Sequence, residues 1–410
     1  MRTITELTAA SCSAWDAYVQ HSASGLPQHL SGWREVLYKT SGYETHYLLA
    51  QEEGHIVGVL PLFLVRSRLV GNTAMTMPGG LCADNQEVAA ELIAHAREVA
   101  QQAKTRRLVL QDTRQLWNVP AAKSSQGGTS PKGEGGWPGG LQTTTSHVYW
   151  LVDVRMGSEA LWQQLAGNVR RQVRLARRNQ LTVTIDRTGR ALGAFYDVFS
   201  RFTHQMGTPV FGRNFLEHII ETFPNSFNIA VVYTGTSPLE RPRWNVPAGT
   251  SPKGEGERGK GKEQHPIGAY FQLQLGKTMY GIWGATLREY LDLRPVYLAY
   301  WELLCDAIAN GCHFLDMGRS PLNSNASQYK GQWGGVSRPV YQQVVNLGQA
   351  CRNGDTLAYW NAPAGGRVQI PQGDVPAEGK FQLMMRLWPK LPLPVAQYLG
   401  PKLRRHVPFA

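Results

Sequence analysis

The chain of 410 residues has few cysteines and no long hydrophobic run, and each scarcity excludes a class of protein. The five cysteines include no CxxC pair and no cluster with histidine, which argues against structural zinc and for a reducing compartment. The apolar stretch IVGVLPLFLV (56–65) is about half as long as a membrane-spanning helix. The N-terminal segment lacks the apolar core of a signal peptide. We therefore expect a cytoplasmic protein without a transmembrane anchor.

Acidic residues are outnumbered by basic ones. Against 30 Asp and Glu stand 42 Lys and Arg, which gives a formal net charge of +12. This excess favours an anionic partner but carries no information about the fold. With 42% hydrophobic residues, the chain can bury a large core, and its length allows two or three domains.

Low-complexity tracts interrupt the sequence. The octapeptide GTSPKGEG occurs at 128–135 and 249–256, each time shortly after WNVPA, and the related WNAPAGG stands at 360–366. Tracts rich in Gly, Pro, Ser and Lys bury too little apolar surface to fold alone. Lengthening a surface loop costs little, so we interpret the tracts as inserts. A phosphate-binding glycine loop, the alternative, would be framed by a strand and a helix.

The remaining sequence divides into two similar halves. Each contains a hairpin, then an alanine- or leucine-rich helix, then a strand; the hairpins contain HIVGVLPLFL and HPIGAYFQLQ. This pattern predicts a mixed α/β (α+β) protein of two units, each a mixed twisted sheet flanked by helices. The predicted boundaries are 1–116 for the first domain, 117–141 for an insert, 142–348 for the second domain with an insert at 236–266, and 349–410 for a linker and a basic, Pro-containing tail.

A strongly basic segment, GNVRRQVRLARRNQLTV, lies at 167–183. Read as a helix, it has an arginine stripe and a second, apolar face. The stripe consists of Arg170, Arg174 and Arg177 or Arg178, and the apolar face of Val169, Val173 and Ala176.

The first turn of this helix is unusual in its charge. Asn168 is the predicted N-cap, which places Arg170 and Arg171 where a positive charge opposes the helix dipole. Guanidinium groups bind phosphate or carboxylate in bidentate fashion. The segment therefore predicts an anion-binding helix; a solvated helix face is the alternative.

A second polar constellation is FLDMGRSPLNSNASQYKGQWGG (314–335). A strand is predicted to end at Asp316 and to break at Gly318, and a polar loop then carries Arg319. The loop closes with Tyr329 and Lys330. Sites usually lie on loops held by rigid strands, although a salt-bridged connection between strands would have the same composition.

Six segments occur in a characteristic order: NVRRQVRLARRNQLTV, GTPVFGRNFLEHI, YGIWGAT, YWELLCDAIANG, FLDMGRS and YKGQWGG. In this order they resemble the second domain of FemAB-like proteins of the GNAT acyltransferase superfamily, especially the subgroup that accompanies exopolysaccharide and exosortase (PEP-CTERM) systems. YLLAQEEGHIVGVLPLFLVRSRLVG with MPGGLCAD resembles the first domain, and RLWPKLPLPVAQYLGPKLRR resembles the tail of the subgroup.

The resemblance implies tandem GNAT-like domains that transfer an acyl or aminoacyl group to an amine of a small-molecule or lipid-linked peptidoglycan or exopolysaccharide precursor. The donor is either acyl-CoA or aminoacyl-tRNA, and no metal is implied. The segment LREYLDLRP (287–295) lacks the glycine turn that binds CoA pyrophosphate, and no tRNA-binding coiled-coil arm is evident. The donor therefore stays open.

The resemblance also assigns roles to residues. Asn168, Arg170, Arg171 and Arg174 would hold donor or acceptor phosphates, and Trp283 and Gly284 would line the acyl channel. Lys330, beside Tyr329 in the Y-K-x-x-W-G loop, would stabilise the carbonyl oxygen as negative charge develops on it. Asp316 either orients or deprotonates the acceptor amine, or fixes Arg319. We expect the arginine cluster and Lys330 to face one another across one cleft.

Three alternatives remain at the level of the sequence. The basic helix 168–178 could serve a nucleic-acid-binding protein, whose affinity would fall steeply with salt. A catalytically inactive GNAT-fold scaffold would keep the fold without turnover. The basic tail at 381–410 either contacts an anionic membrane surface or packs against the body of the protein.

Overall fold

The computed structural model describes residues 2–67, 71–117, 141–235, 264–347 and 386–406. We call 2–117 the first half and 141–347 the second half. The tracts at 128–135, 249–256 and 360–366 lie outside the described residues. The strands are β1 (Arg2–Glu6), β2 (Glu44–Glu52), β3 (His55–Val65), β4 (Thr73–Thr76), β5 (Cys82–Ala83), β6 (Arg107–Thr113), β7 (Gln142–Asp153), β8 (Thr182–Asp186), β9 (Phe227–Thr234), β10 (His265–Leu275), β11 (Thr278–Thr286), β12 (Phe314–Pro321) and β13 (Val336–Asn346). The helices are α1 (Cys12–His21), α2 (Trp33–Ser41), α3 (Gln86–Gln102), α4 (Gly157–Gln164), α5 (Gly167–Arg178), α6 (Leu192–Gln205), α7 (Arg213–Thr222), α8 (Pro295–Ala309), α9 (Asn325–Gly331) and α10 (Leu393–Arg404).

All of these strands belong to one mixed sheet, and the two halves share it. The strand order is β1-β2-β3-β4-β6-β13-β7-β12-β11-β10-β9-β8, and β5 pairs with β3. The junction is β13, which pairs antiparallel with β6 of the first half and with β7 of the second. The predicted mixed α/β architecture is confirmed, and the two sheets are continuous rather than separate.

The local sequence explains the first half well. The apolar stretch 56–65 forms most of β3, which is buried from Gly58 onward, so a central strand accounts for it. In α3, the Asn85 side chain caps the helix by accepting hydrogen bonds from the backbone N–H groups of Glu87 and Val88, both at 3.0 Å. The buried residues of this helix form one apolar stripe against the sheet: Val88, Ala89, Leu92, Ile93, Ala96 and Ala100.

The basic segment forms α5 and packs on α8 through its apolar face. Val169, Val173 and Ala176 are fully buried, as the periodicity predicts. The prediction that Asn168 caps the helix is wrong. The N-cap lies two residues earlier, at Ala166, whose carbonyl oxygen accepts a hydrogen bond from the Arg170 N–H at 3.2 Å.

The C-terminal helix α10 packs on α6 in the second half. The Gln397 amide donates to the Ser200 hydroxyl at 2.9 Å, and Gly400 lies so close to Val210 that a Cβ atom would stand 3.1 Å from its backbone. The Tyr43 hydroxyl, from the first half, donates to the Arg405 carbonyl at 2.9 Å. The described part of the tail therefore packs against the body of the protein.

Candidate active site

The sheet opens between β11 and β12. These strands pair in parallel only from Thr278–Tyr280 to Phe314–Asp316. Beyond this point β11 continues beside β10, whereas β12 shifts register and continues beside β7. The two strands diverge and leave a gap in the middle of the second half.

Two glycines allow the strands to touch at the point where they separate. A Cβ atom on Gly281 would lie 3.1 Å from the Asp316 carbonyl oxygen. Gly318 has a φ of +74°, and its Cβ would lie 2.7 Å from the Gly281 carbonyl oxygen. Only glycine combines this backbone conformation with so close an approach. The predicted break at Gly318 is thus a register shift inside β12 rather than its end.

A cavity of about 450 Å³ occupies the gap. Its walls come from β10, β11, β12, α6, α8 and α9. All of the predicted catalytic and acyl-channel residues line it, together with Tyr329: Trp283, Gly284, Asp316, Arg319 and Lys330. Gly284 leaves room for the Tyr270 ring, which would lie 2.8 Å from a Cβ atom at this position.

Lys330 lies at the gap with its ammonium group buried. It belongs to α9, where the sequence analysis expected a loop. Its Nζ donates to the carbonyl oxygens of Gly318 at 2.9 Å and of Arg319 at 3.0 Å. Burial lowers the pKa of Lys330 to about 8, although the nearby Asp316 carboxylate opposes this shift. Lys330 therefore stays largely protonated at neutral pH, and one further N–H remains to be donated.

Asp316 is buried, and its ion-pair partner comes from the first half of the chain. Its carboxylate forms an ion pair with the Arg114 guanidinium group and accepts the Gly318 N–H at 2.7 Å. Arg114 stacks on the Tyr149 ring, 3.9 Å from its centroid. The alternative that Asp316 fixes Arg319 is wrong, because Arg319 pairs with Asp112 at 2.5 Å.

Arg114 and Asp112 did not emerge from the sequence. They follow the core of β6 at the edge of the first half, far along the chain from the FLDMGRS segment. No local periodicity connects them with Asp316 and Arg319. Only the strand order, with β13 and β7 between β6 and β12, brings the four side chains together.

A second cavity of about 190 Å³ lies between the two halves. Arg114 and Gln28 of the first half line it, together with Arg404 of α10. It shares part of its lining with the larger cavity: Gly281, Ile282, Trp283, Gly318 and Arg319. Two molecules can therefore approach the strand gap from different sides.

The arginines of α5 line neither cavity. On one side, α8 presents Tyr300 to the larger cavity. On another, its Glu302 accepts a hydrogen bond from Arg177 of α5 at 3.0 Å. Because α8 lies between α5 and the cavity, the expectation that the arginine cluster and Lys330 face one another across one cleft is corrected.

The predicted phosphate-binding residues lie on the surface, where they contact side chains of α4 and α5. The Asn168 side-chain oxygen accepts from Arg171 and Gln172 of its own helix, both at 3.3 Å, Arg170 donates to Gln163 at 3.3 Å, and Arg174 lies over the Trp162 ring. The end of α5 is tied to the start of α8 by a hydrogen bond from Asn179 to the Leu293 carbonyl at 3.2 Å.

Neither a metal cluster nor a membrane-spanning helix occurs in the described parts of the chain. No group of three or more His, Cys, Asp or Glu side chains in residues 2–67, 71–117, 141–235, 264–347 and 386–406 could hold a metal ion. Within the same ranges, every helix is too short or too polar to cross a bilayer.

Comparison with known proteins matches this site to a family. Residues 261–331, which include β10, β11, α8, β12 and α9, match the family described as an acetyltransferase (GNAT) domain. These elements form most of the wall of the larger cavity. No curated protein matches the sequence significantly.

Two solved structures show the fold over most of the chain. The crystal structure of FemX is 14% identical and superposes with a TM-score of 0.56, covering 83% of this chain and 96% of FemX. A tandem GNAT protein from the clavulanic acid biosynthesis pathway is 10% identical, with a TM-score of 0.51 over 85% of this chain and 100% of that protein. The predicted resemblance to FemAB-like, tandem GNAT proteins is confirmed at the level of the fold.

Proposed function

We propose that this FemAB-like GNAT N-acyltransferase moves an acyl or aminoacyl group onto an amine of a cell-envelope or exopolysaccharide precursor. The observation that carries the proposal is the Lys330 ammonium group, held by two carbonyl oxygens at a gap that two cavities share. The larger cavity takes the activated acyl group and the smaller one the acceptor amine.

The reaction needs alignment of the reactants and a donor for the oxyanion. The amine nitrogen attacks the acyl carbonyl carbon, negative charge develops on the carbonyl oxygen, and the thiol or hydroxyl of the donor leaves. The free N–H of Lys330 donates to this oxygen, and the two cavities align the reactants. The proton that the amine loses passes to the departing sulfur or oxygen atom of the donor, which leaves as the neutral thiol or hydroxyl.

Asp316 acts as a positioning residue in this proposal. Its carboxylate accepts the Gly318 N–H, and the carbonyl oxygen of Gly318 accepts from Lys330. The same carboxylate is paired with Arg114 and is almost completely buried. It therefore orients the peptide that holds Lys330, and a role as the base for the amine is disfavoured.

The donor is either acyl-CoA or aminoacyl-tRNA, both of which carry phosphates. The hydrogen bond from Asn179 to Leu293 brings the end of α5 to the start of α8, whose Val296 and Tyr300 line the larger cavity. Arg170, Arg171 and Arg174 then bind donor phosphates on the outer surface, while the acyl end reaches the gap.

The acceptor is a small-molecule or lipid-linked precursor. The exposed side of α10 carries Val395, Tyr398 and Lys402, and residues 386–406 contain no Asp or Glu. Apolar and basic side chains together suit the surface of an anionic membrane. We place the protein in the cytoplasm, in peripheral contact with the membrane.

The proposal is tested by acyl transfer with Lys330→Met and, as a matched control, the exposed Lys277→Met. Transfer from acetyl-CoA and from aminoacyl-tRNA to amino-sugar and peptide amines is followed by mass spectrometry. We expect Lys330→Met to lose about 10²- to 10³-fold in rate, the range for removal of one oxyanion donor, with the circular dichroism spectrum unchanged. Wild-type rates in this variant would refute the mechanism, and absence of transfer in the wild type with all donors would favour the inactive scaffold.

A further inference from the structure

A glutamine in the wall of the larger cavity has a buried amide oxygen without a hydrogen-bond partner. Gln272 lies in the middle of β10, where its side chain is only 2% exposed. Its Oε1 atom is buried without a partner among the described residues. The side chain lines the cavity that the proposed function assigns to the donor, so this inference rests on that function.

A buried amide without a partner is unfavourable for folding, because it gives up its hydrogen bonds to water and gains none. On β11, the residue paired with Gln272 is Gly281, which has no side chain to contact it. On β9, the paired residue is Asn228, whose amide donates to Asp306 at 3.1 Å. The space beside Gln272 thus opens toward the cavity on the side of the strand gap.

A second orphaned group lies in the same cavity. Ser320 of β12 is 2% exposed and lines the cavity, and its Oγ atom has no partner among the described residues. By contrast, the nearby hydroxyls of Tyr270 and Thr286 bond to each other at 3.0 Å. Gln272 and Ser320 are thus unused polar groups on the two strands that flank β11, and the Tyr329 hydroxyl of α9, which lines the same cavity, also has no partner among the described residues.

We infer that the larger cavity binds an acyl group with a hydroxyl or amino substituent, which Gln272 and Ser320 recognise. The only polar atom of an acetyl group is its carbonyl oxygen, and the proposed mechanism gives that atom to Lys330. An acyl group with a further polar substituent satisfies Gln272 as well. When the substituent is missing, the buried Gln272 amide stays without a hydrogen-bond partner, and the donor binds less tightly. The two residues therefore determine donor specificity.

The test compares thioesters of equal size on the full chain: S-butanoyl-, S-(3-hydroxypropionyl)- and S-(3-aminopropionyl)-N-acetylcysteamine. Binding is measured by ligand-detected NMR titration, which needs neither acceptor nor turnover. We expect the wild type to bind one of the polar thioesters about fivefold more tightly than the butanoyl compound, as one additional hydrogen bond provides.

The variant Gln272→Met has nearly the same shape without the amide. We expect it to lose the preference, to bind the butanoyl thioester at least as well as the wild type does, and to melt at the same or a higher temperature. Gln274→Met is the matched control on the same strand, since Gln274 does not line the cavity and bonds to the Gly276 carbonyl at 3.1 Å; it should keep the wild-type preference.

The other outcomes separate the two proposals. Equal binding of all three thioesters, or an unchanged preference in Gln272→Met, overturns the inference and leaves the proposed function intact. A lower melting temperature for Gln272→Met without any change in preference assigns Gln272 a structural role and also overturns the inference. If no thioester binds to the wild type, the donor cavity of the proposed function fails, and the inference fails with it.

Discussion

At the scale of single residues, the protonation of Lys330 affects both the proposed reaction and the stability of the fold. Its ammonium group is almost completely buried and is held by two carbonyl oxygens. Burial lowers the pKa of Lys330 to about 8, against an ordinary value of 10.5. The folded protein therefore disfavours the charged form that the proposed mechanism uses, and the cost is visible in stability as a function of pH.

We predict that the wild type gains stability relative to Lys330→Met as the pH rises from about 8 to 10.5. In this window the unfolded chain binds the lysine proton more strongly than the folded protein does, so raising the pH favours the folded state. The gain approaches about 3 kcal/mol in the free energy of unfolding. Urea denaturation of both proteins at a series of pH values measures it, and a constant difference between the two would contradict the assigned environment of Lys330.

Among the site residues, only those that lie close together in the sequence could be predicted from it. Lys330, Asp316 and Arg319 were found because they lie within one short segment of the chain. Their partners Arg114 and Asp112 were not, because an ion pair between distant residues leaves no pattern in either segment. The orphaned Gln272 was also missed, since a glutamine in a strand sequence carries no mark of burial.

At the scale of elements, the gap between β11 and β12 depends on Gly281 and Gly318 at its closed end. The chain offers a matched pair of glycines to test this. Gly318 and Gly334 have nearly the same φ, +74° and +76°, but a Cβ atom on Gly334 would have no neighbour within 4 Å. Substitution at either position strains the backbone, and only substitution at Gly318 also forces the two strands apart.

We predict that Gly334→Ala costs about 1 kcal/mol in the free energy of unfolding, from the left-handed backbone alone. Gly318→Ala should cost a further 1–3 kcal/mol or so, because its Cβ meets the Gly281 carbonyl oxygen. Chemical denaturation gives both values, and transfer assays should show loss of activity for Gly318→Ala only. Equal costs would mean that the strands do not approach each other as closely as described.

The basic helix α5 is the element whose function the fold leaves open. We predict that Arg171→Gln/Arg174→Gln weakens binding of CoA or of tRNA. With tRNA it also lowers the slope of log affinity against log salt by about 1.5, as expected for two lost contacts to polynucleotide phosphates. Fluorescence anisotropy at several salt concentrations measures both quantities.

The control for this experiment is Arg190→Gln/Arg213→Gln, two arginines outside α5. If both double variants bind alike, α5 is a solvated surface and the assignment of phosphates to it fails. A steep salt slope with DNA of any sequence, lost in the α5 variant, would instead favour the nucleic-acid-binding alternative.

At the scale of the whole molecule, two arginine–aspartate pairs hold the halves together at the site. Arg114–Asp316 is the more buried pair, since the Asp316 side chain is 1% exposed. In the other pair, the Arg319 side chain is 34% exposed and the Asp112 side chain 12% exposed. Removing one partner of a buried pair leaves an uncompensated charge.

We predict that Arg114→Met costs about 3–5 kcal/mol in the free energy of unfolding, and that Arg319→Met costs distinctly less, because its partner Asp112 keeps more access to water. Because one sheet runs through both halves, unfolding should be a single transition with coincident circular dichroism and tryptophan fluorescence curves. Two separate transitions in the wild type would show that the halves unfold independently.

The sequence by itself determined the fold class, most helices and strands, and the segment that contains Lys330. It could do so because the apolar residues of α5 repeat with the period of a helix, and β3 is a continuous apolar run of the length of a buried strand. It did not reveal α9, which is short and polar and therefore reads as a loop.

Only the tertiary structure decided which side chains meet. It placed α8 between the arginines and the cavity, paired Asp316 with Arg114, and joined the two halves through β13. The physical reason is that periodicity records whether a residue is buried but not which partner buries it. Partnership follows from strand order and register, which contacts between distant parts of the chain fix only when the whole sheet forms.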